Sequence, residues 1–329
     1  MNVDRLILLG VVILTCCRWW FAGAVELTQA EALMALEAQF LGFFYLDHGP
    51  LGAGLAWVGN VFADEPVWAL RFLNPILILA AGWLLFLLAR SAFHQVTARW
   101  VTVLFHMSPI PNQAGVFMLD VALAQFFVLL AAWCFWCGLH RVHRWHMAWW
   151  IGGVALGLAV CISLALVGVL LGLLLGVAVA VRWRDQCERP GIWVFAGISL
   201  AFPLVLLLSS GQAPYFLGHV RHHLEPSLWG SFRGLLLWGW WTGPLLALGL
   251  VWLVRRGGGS FREPGAVLLG VTGGVSLAFG WCLAGCGLAW SPILWVATPL
   301  CLVVLVGVWM QADLEWRAKH HWRRWTLLS

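Results

Sequence analysis

Charge is scarce in this chain. Only 10% of its 329 residues are Asp, Glu, Lys or Arg, against about 25% in an ordinary soluble domain. Hydrophobic residues make up 62%. That balance excludes a soluble globular protein, because too little polar surface is present to cover so much apolar mass. Other absences narrow the class further. No credible strand appears, and no Gly-rich phosphate loop follows one; "RRGGGSFREP" reads as a cytoplasmic turn between spans. The absence of a nucleotide-binding domain weighs against direct ATP hydrolysis. No internal repeat is evident, which weighs against a transporter or flippase built from repeated halves. No small-residue cleavage site follows the apolar run Leu6–Ala24, so that run reads as a retained first helix rather than a removed signal. The nine cysteines form no disulfide framework. Cys134-x-x-Cys137 has metal-ligand spacing, but no second pair lies nearby in sequence. The cysteines read as small buried hydrophobes.

What is present is a succession of apolar runs, each near the length of about 20 residues that crosses roughly 30 Å of hydrocarbon. They fall at 6–24, 67–89, 96–106, 114–138, 147–162, 164–181, 191–210, 234–254, 265–284 and 291–311. The expectation is an all-α polytopic membrane protein of about ten spans. The segment 96–106 is short and reads as partly interfacial, and the runs from 147 to 181 are expected to meet in a tight turn near Ser163. One transmembrane domain should cover 1–329, with an amphipathic outer loop at 25–66, a second outer loop at 211–233 and a basic tail at 312–329.

Basic residues sort by side of the membrane. Arg5, Arg90, Arg99, Arg141, Arg144, the loop Arg182–Arg189, Arg255, Arg256, Arg262 and the tail fall on one side, with Arg18, Arg71, Arg221 and Arg233 as exceptions. The positive-inside rule makes the first side cytoplasmic, together with both termini. Glu26, Glu31, Glu37, Asp47, Asp64, Glu65, Asp120 and Glu225 fall toward the outside. The net charge of +5 then reflects membrane orientation and gives no reason to expect nucleic acid as a partner. The tail "EWRAKHHWRRWTLLS" suits an interfacial helix on anionic lipid. Many of the 25 tryptophans lie near span ends, as aromatic belts do.

Chemistry-bearing residues gather on the outer side. Asp120 lies just inside the outer end of a span, where carboxylates are costly and usually face a polar cavity. The stretch Leu27–Arg71 is acidic and half apolar, so one face of it stays wet. It carries Glu31, which alone would read as solvated surface. It also carries Tyr45, Asp47 and His48 before the Gly49-Pro50 turn, where Asp47 and His48 are equally suited to cap a helix or touch a ligand. A third outer segment holds His219, Arg221, His222, His223, Glu225 and Arg233, a set of donors suited to a lipid phosphate. The i, i+3, i+4 spacing of His219, His222 and His223, with Glu31 or Glu225, could also serve a divalent metal; an interfacial helix without metal is the preferred reading. His140, His143 and His146 sit at a boundary and read as a charged loop, not a haem site.

In order and spacing these motifs resemble those of membrane glycosyltransferases of the large C-type fold, in particular glycosyltransferase families 39 and 83. Those families contain the dolichyl-phosphate-mannose protein mannosyltransferases and the lipid A aminoarabinose transferase. The likeness runs over roughly Leu27 to Val254. The family's Asp-Glu-Ala motif meets Ala30-Glu31-Ala32, and its Tyr-x-Asp-His-x-Pro turn meets Tyr45-Leu46-Asp47-His48-Gly49-Pro50. Its arginine near the next span meets Arg71, and its Ser-Pro followed by an aspartate meets Ser108-Pro109 and Asp120.

The resemblance implies a C-type helix bundle at the bacterial inner membrane. It would take a sugar from a polyprenyl-phosphate carrier and place it on a lipid, glycan or protein acceptor at the periplasmic face. Asp120 and Glu31 are then expected to act on the acceptor, with no cofactor certain and a divalent metal possible. Tyr45, Asp47, His48, Arg71, His219, Arg221, His222 and His223 would bind the carrier or substrate. Three departures stand out. The family's catalytic aspartate falls at Ala30, Ser163 is followed by Leu164 instead of a lysine, and the large soluble C-terminal domain of some members has no counterpart here. They motivate an alternative: a non-catalytic relative serving as a structural or regulatory subunit, with protein partners in a membrane complex.

Overall fold

The computed structural model describes residues 3–39, 50–62, 65–117, 119–140, 146–180, 187–209, 264–285, 297–307 and 309–310. These are helical throughout apart from short turns. Among the described residues three helices are long and apolar enough to cross a membrane: Asp4–Ala24, Asn74–Ala92 and Asp120–His140. Shorter apolar helices accompany them in the sequence, among them Met147–Ile162 and Val167–Val179. The chain is an integral membrane protein, and its described elements are all helices.

Local sequence explains the helix ends. Helix α1 (Val3–Ala24) is followed by α2 (Gln29–Glu37), which starts in a capping box. The Thr28 hydroxyl accepts from the Glu31 backbone N–H, and the Glu31 carboxylate accepts from the Thr28 N–H at 2.9 Å. Two of the orphan donors of a helix start are satisfied this way. Helix α3 (Pro50–Phe62) opens on a proline, as do α4 (Pro66–Arg71) and α7 (Pro109–Ala114). Proline suits the first helical position, where its missing N–H would have no partner.

The single span expected at 67–89 is broken. Helix α4 stops at Arg71, Phe72 and Leu73 form a turn, and α5 (Asn74–Ala92) starts afresh. Pro75 explains the break: it has no N–H for the Arg71 carbonyl, four residues back. Helix α6 (Gln95–Met107) is 13 residues long, about 20 Å at 1.5 Å per residue, and too short to cross alone.

Helix α8 (Leu119–His140) is the axis of the described bundle. It packs on α5 and on α9 (His146–Ile162), and α9 packs in turn on α11 (Pro190–Ser209). Phe135, Trp149 and Phe195 stack edge to face across α8, α9 and α11, with centroids 4.9–6.4 Å apart. Between α9 and α10 (Val167–Val179) the chain turns through Ser163 and a 3-10 turn at Leu164–Leu166. The two helices do not continue as a packed pair. Helix α10 lies instead against α12 (Pro264–Gly285). Gly172 makes that approach possible, because a Cβ there would sit 2.7 Å from the Thr272 backbone. Small residues let membrane helices meet at backbone distance in this way.

Side-chain bonds show which ends coincide. Arg99 near the start of α6 grips Asp4 near the start of α1, at 2.6 and 2.9 Å. Arg18 near the end of α1 meets His106 near the end of α6. Helices α1 and α6 therefore run parallel. One end of the bundle holds Asp4 and Arg99; the other holds Arg18, Glu31, Arg71 and Asp120.

Candidate functional site

The end that holds Asp120 is organised by two buried arginines. Arg71, the last residue of α4, is fully buried. Its Nε donates to Glu31 Oε1 at 2.8 Å and its Nη2 to Glu31 Oε2 at 2.7 Å. The remaining N–H groups go to the carbonyls that leave α1: Nη1 to Ala22 (2.8 Å) and Val25 (2.7 Å), Nη2 to Glu26 (2.8 Å). A guanidinium has five N–H donors in a planar fork, and all five are committed here. Glu31 is only 4% exposed. Its Oε2 also accepts from the Thr28 hydroxyl at 2.8 Å.

This geometry bears on both residues as expected from sequence. Arg71 has no N–H left to offer a carrier phosphate in this arrangement. Both Glu31 carboxylate oxygens are engaged, in the fork with Arg71 and in the capping box. The pair locks α2, α4 and the exit of α1 together. Sequence spacing could not reveal it, because the partners are 40 residues apart.

Arg18 is the second buried arginine, 2% exposed. Its Nε and Nη2 both donate to Asn112 Oδ1, at 3.1 and 2.8 Å. Its Nη2 also reaches the His106 carbonyl, and its Nη1 donates to His106 Nδ1, both at 3.3 Å. Asn112 completes the cluster by donating to the His106 and Ser108 carbonyls at 3.1 and 2.9 Å. These carbonyls close α6 and carry its negative dipole end. Among the described residues no carboxylate meets Arg18, so its charge is balanced by carbonyls and a helix terminus. Sequence marked Arg18 only as an exception to the charge sorting.

Asp120 stands in the first turn of α8 and is partly exposed. Its carboxylate lies directly on the first turn of α3: a Cβ on Gly52 would collide with Asp120 Oδ1, and would meet Met34 of α2 at 3.4 Å. Helices α2, α3 and α8 thus converge at Asp120. Helix α3 begins two residues after His48 in the sequence. Tyr45, Asp47, His48, His219, Arg221, His222 and His223 lie outside the described residues. Among the described residues no three of His, Cys, Asp and Glu come together closely enough to hold a metal ion.

Helices α2 and α3 thus meet the first turn of α8 at a carboxylate, in a bundle that is helical apart from short turns among the described residues. Residues 47–208 match the family described as dolichyl-phosphate-mannose-protein mannosyltransferase. The fold is that of ArnT from Cupriavidus metallidurans. The ArnT crystal structure with bound undecaprenyl phosphate matches at a TM-score of 0.67 and 16% identity, over 93% of this chain and 59% of ArnT. Its apo structure matches at 0.66 and 17%, over 93% and 60%. The chain therefore spans about three fifths of the length of the ArnT chains it matches. No curated protein matches it by sequence.

Proposed function

We propose that this chain binds a polyprenyl-phosphate-linked sugar at the end of the bundle that holds Asp120, and transfers the sugar to an acceptor hydroxyl. The observation that carries this reading is the convergence of α2, α3 and α8 on the Asp120 carboxylate, beside the turn Tyr45–Pro50 in sequence. The match to the mannosyltransferase family and to a fold whose crystal structure holds undecaprenyl phosphate supports it.

The chemistry is a displacement at the anomeric carbon. The acceptor oxygen forms a bond to that carbon while the bond to the carrier phosphate breaks, and the polyprenyl phosphate departs with the electron pair. The hydroxyl proton passes to a carboxylate, which we assign to Asp120 as general base. His219, Arg221, His222 and His223 are the donors for the departing phosphate, and Tyr45, Asp47 and His48 contact the headgroup. Glu31 and Arg71 take a different part from the one their motifs suggest: they fix the frame of the site. In this reading the site faces the periplasmic side of a bacterial inner membrane, with both termini cytoplasmic.

A second reading has its own observation. Position 30, where the family motif carries an aspartate, is Ala30, and the neighbouring Glu31 is committed to Arg71. That favours a relative that keeps the fold and serves as a subunit of a membrane complex. Native mass spectrometry of the gently solubilised protein separates the two. A bound polyprenyl phosphate or its sugar conjugate, with transfer lost in Asp120→Asn, fits the transferase. A protein partner at fixed stoichiometry, no carrier lipid and no transfer by the wild type would replace it with the subunit.

A further inference from the structure

Between α7 and α8 the chain makes a short turn, Gly115–Phe117, three residues before Asp120. Both buried arginines touch it. The Arg18 side chain lies against Gly115, where a Cβ would sit 2.8 Å from Arg18 Cδ. The Arg71 guanidinium carbon lies 5.2 Å from the centre of the Phe117 ring, on its face. Val116, between them, is buried. The turn is therefore bracketed by two guanidinium side chains from different helices, α1 and α4, each anchored elsewhere. Arg71 is anchored on Glu31 and the α1 exit. Arg18 is anchored on Asn112 and the end of α6, at the other end of the same α7 elbow.

We infer that Arg18 is a positioning residue for Asp120: with Arg71 it fixes the Gly115–Phe117 turn and so sets where the Asp120 carboxylate stands over α3. The chain of contacts is short. Arg18 holds both Asn112, inside α7, and Gly115, just past it, so α7 cannot rotate about its axis without breaking the Asn112 fork. Helix α8 starts at Leu119, and Gly52 leaves no spare room beside Asp120 Oδ1. A small shift of the turn therefore changes the carboxylate's contact with α3. Displacement of a reacting group by about 1 Å can lower a rate up to about a hundredfold. The functional weight of this inference rests on Asp120 being the reacting carboxylate; its structural content does not.

The test uses the full chain in lipid nanodiscs with Asp120→Cys, and follows maleimide modification of residue 120 by mass spectrometry, so that the nine native cysteines are read separately. The rate is compared with Arg18 present, with Arg18→Met, with Arg18→Lys and with Gly115→Ala. The last keeps the arginine and pushes it off the turn, and it decides the matter alone if Arg18→Met does not fold. A several-fold change in rate in Arg18→Met and Gly115→Ala, partly restored in Arg18→Lys, is expected. An unchanged rate in the folded variants overturns the inference. Sugar transfer by Asp120→Asn is measured in parallel. Full transfer there, with a shifted maleimide rate, removes the catalytic role of Asp120 and leaves the positioning intact. Lost transfer with an unshifted rate does the reverse.

Discussion

Arg71 and Glu31 face each other through two parallel hydrogen bonds of 2.8 and 2.7 Å, with the arginine side chain wholly buried and the glutamate side chain 6% exposed. Around them three carbonyls take the arginine donors that the fork leaves, and Thr28 donates to Glu31 Oε2. A buried pair of this kind costs desolvation to form, yet removing one partner strands the other charge, at about 3–5 kcal/mol. Arg71→Met and Glu31→Gln should each lower the melting temperature in detergent clearly. The double variant should lose less than the sum of the two, since partners in one network are not additive. Additive losses in that cycle would mean that the fork contributes little.

Asp120→Asn keeps the shape of the side chain and removes its ability to take a proton. If Asp120 is the general base, sugar transfer should fall by about 10²–10⁴-fold, the usual range for such a group, with carrier binding retained. Single-turnover transfer from a radiolabelled polyprenyl-phosphate sugar, beside a carrier-binding assay, provides the measurement. Equal loss of binding and transfer would move Asp120 from chemistry to carrier recognition.

Gly52 and Gly54 lie two residues apart on α3 and should answer differently to alanine. A methyl at Gly52 collides with the Asp120 carboxylate, whereas a Cβ at Gly54 meets nothing within 4 Å. Gly54→Ala should leave transfer unchanged and stabilise α3 slightly, by about 0.5–1 kcal/mol from the lower backbone entropy of the unfolded chain. Gly52→Ala should impair transfer. Thermal melting and transfer of the two variants, side by side, test the contrast.

At Gly172 a methyl would press on the Thr272 backbone, and backbone has no rotamer by which to yield. Gly172→Ala is expected to destabilise the α10–α12 contact by about 1–3 kcal/mol, as overpacking does. Gly274→Ala, with nothing within 4 Å of its Cβ, is the matched control on α12. Limited proteolysis between the two helices reads the loosening.

Composition and apolar run length were enough to read a helical membrane bundle, because crossing hydrocarbon imposes both. The turn near Ser163 was visible as a gap between apolar runs, whereas the helix starts at Pro50, Pro66 and Pro109 were not read, because apolar run length does not record them. The break at Phe72–Leu73 was not seen, since hydropathy continues across it and only the missing N–H of Pro75 records it. The site was legible as a set of motifs and not as a set of roles. Asp120 stood out because a carboxylate in an apolar run is costly. The partner that claims Glu31 is 40 residues away, and no periodicity links the two. Arg18 broke the charge pattern, but its reason is a cluster of carbonyls at the end of another helix, which no one-dimensional count can show.

The parting of α9 and α10 at Ser163 has a consequence for how the chain is made. Helix α9 finds α8 already synthesised. Helix α10 packs chiefly on α12, and residues 180–263 must leave the ribosome before α12 begins. Synthesis runs from the N-terminus, so the nascent protein carries the bare glycine face of Gly172 and Gly176 through the whole of that interval. A chain stopped before Pro264 would lack the helix against which Gly172 and Gly176 pack.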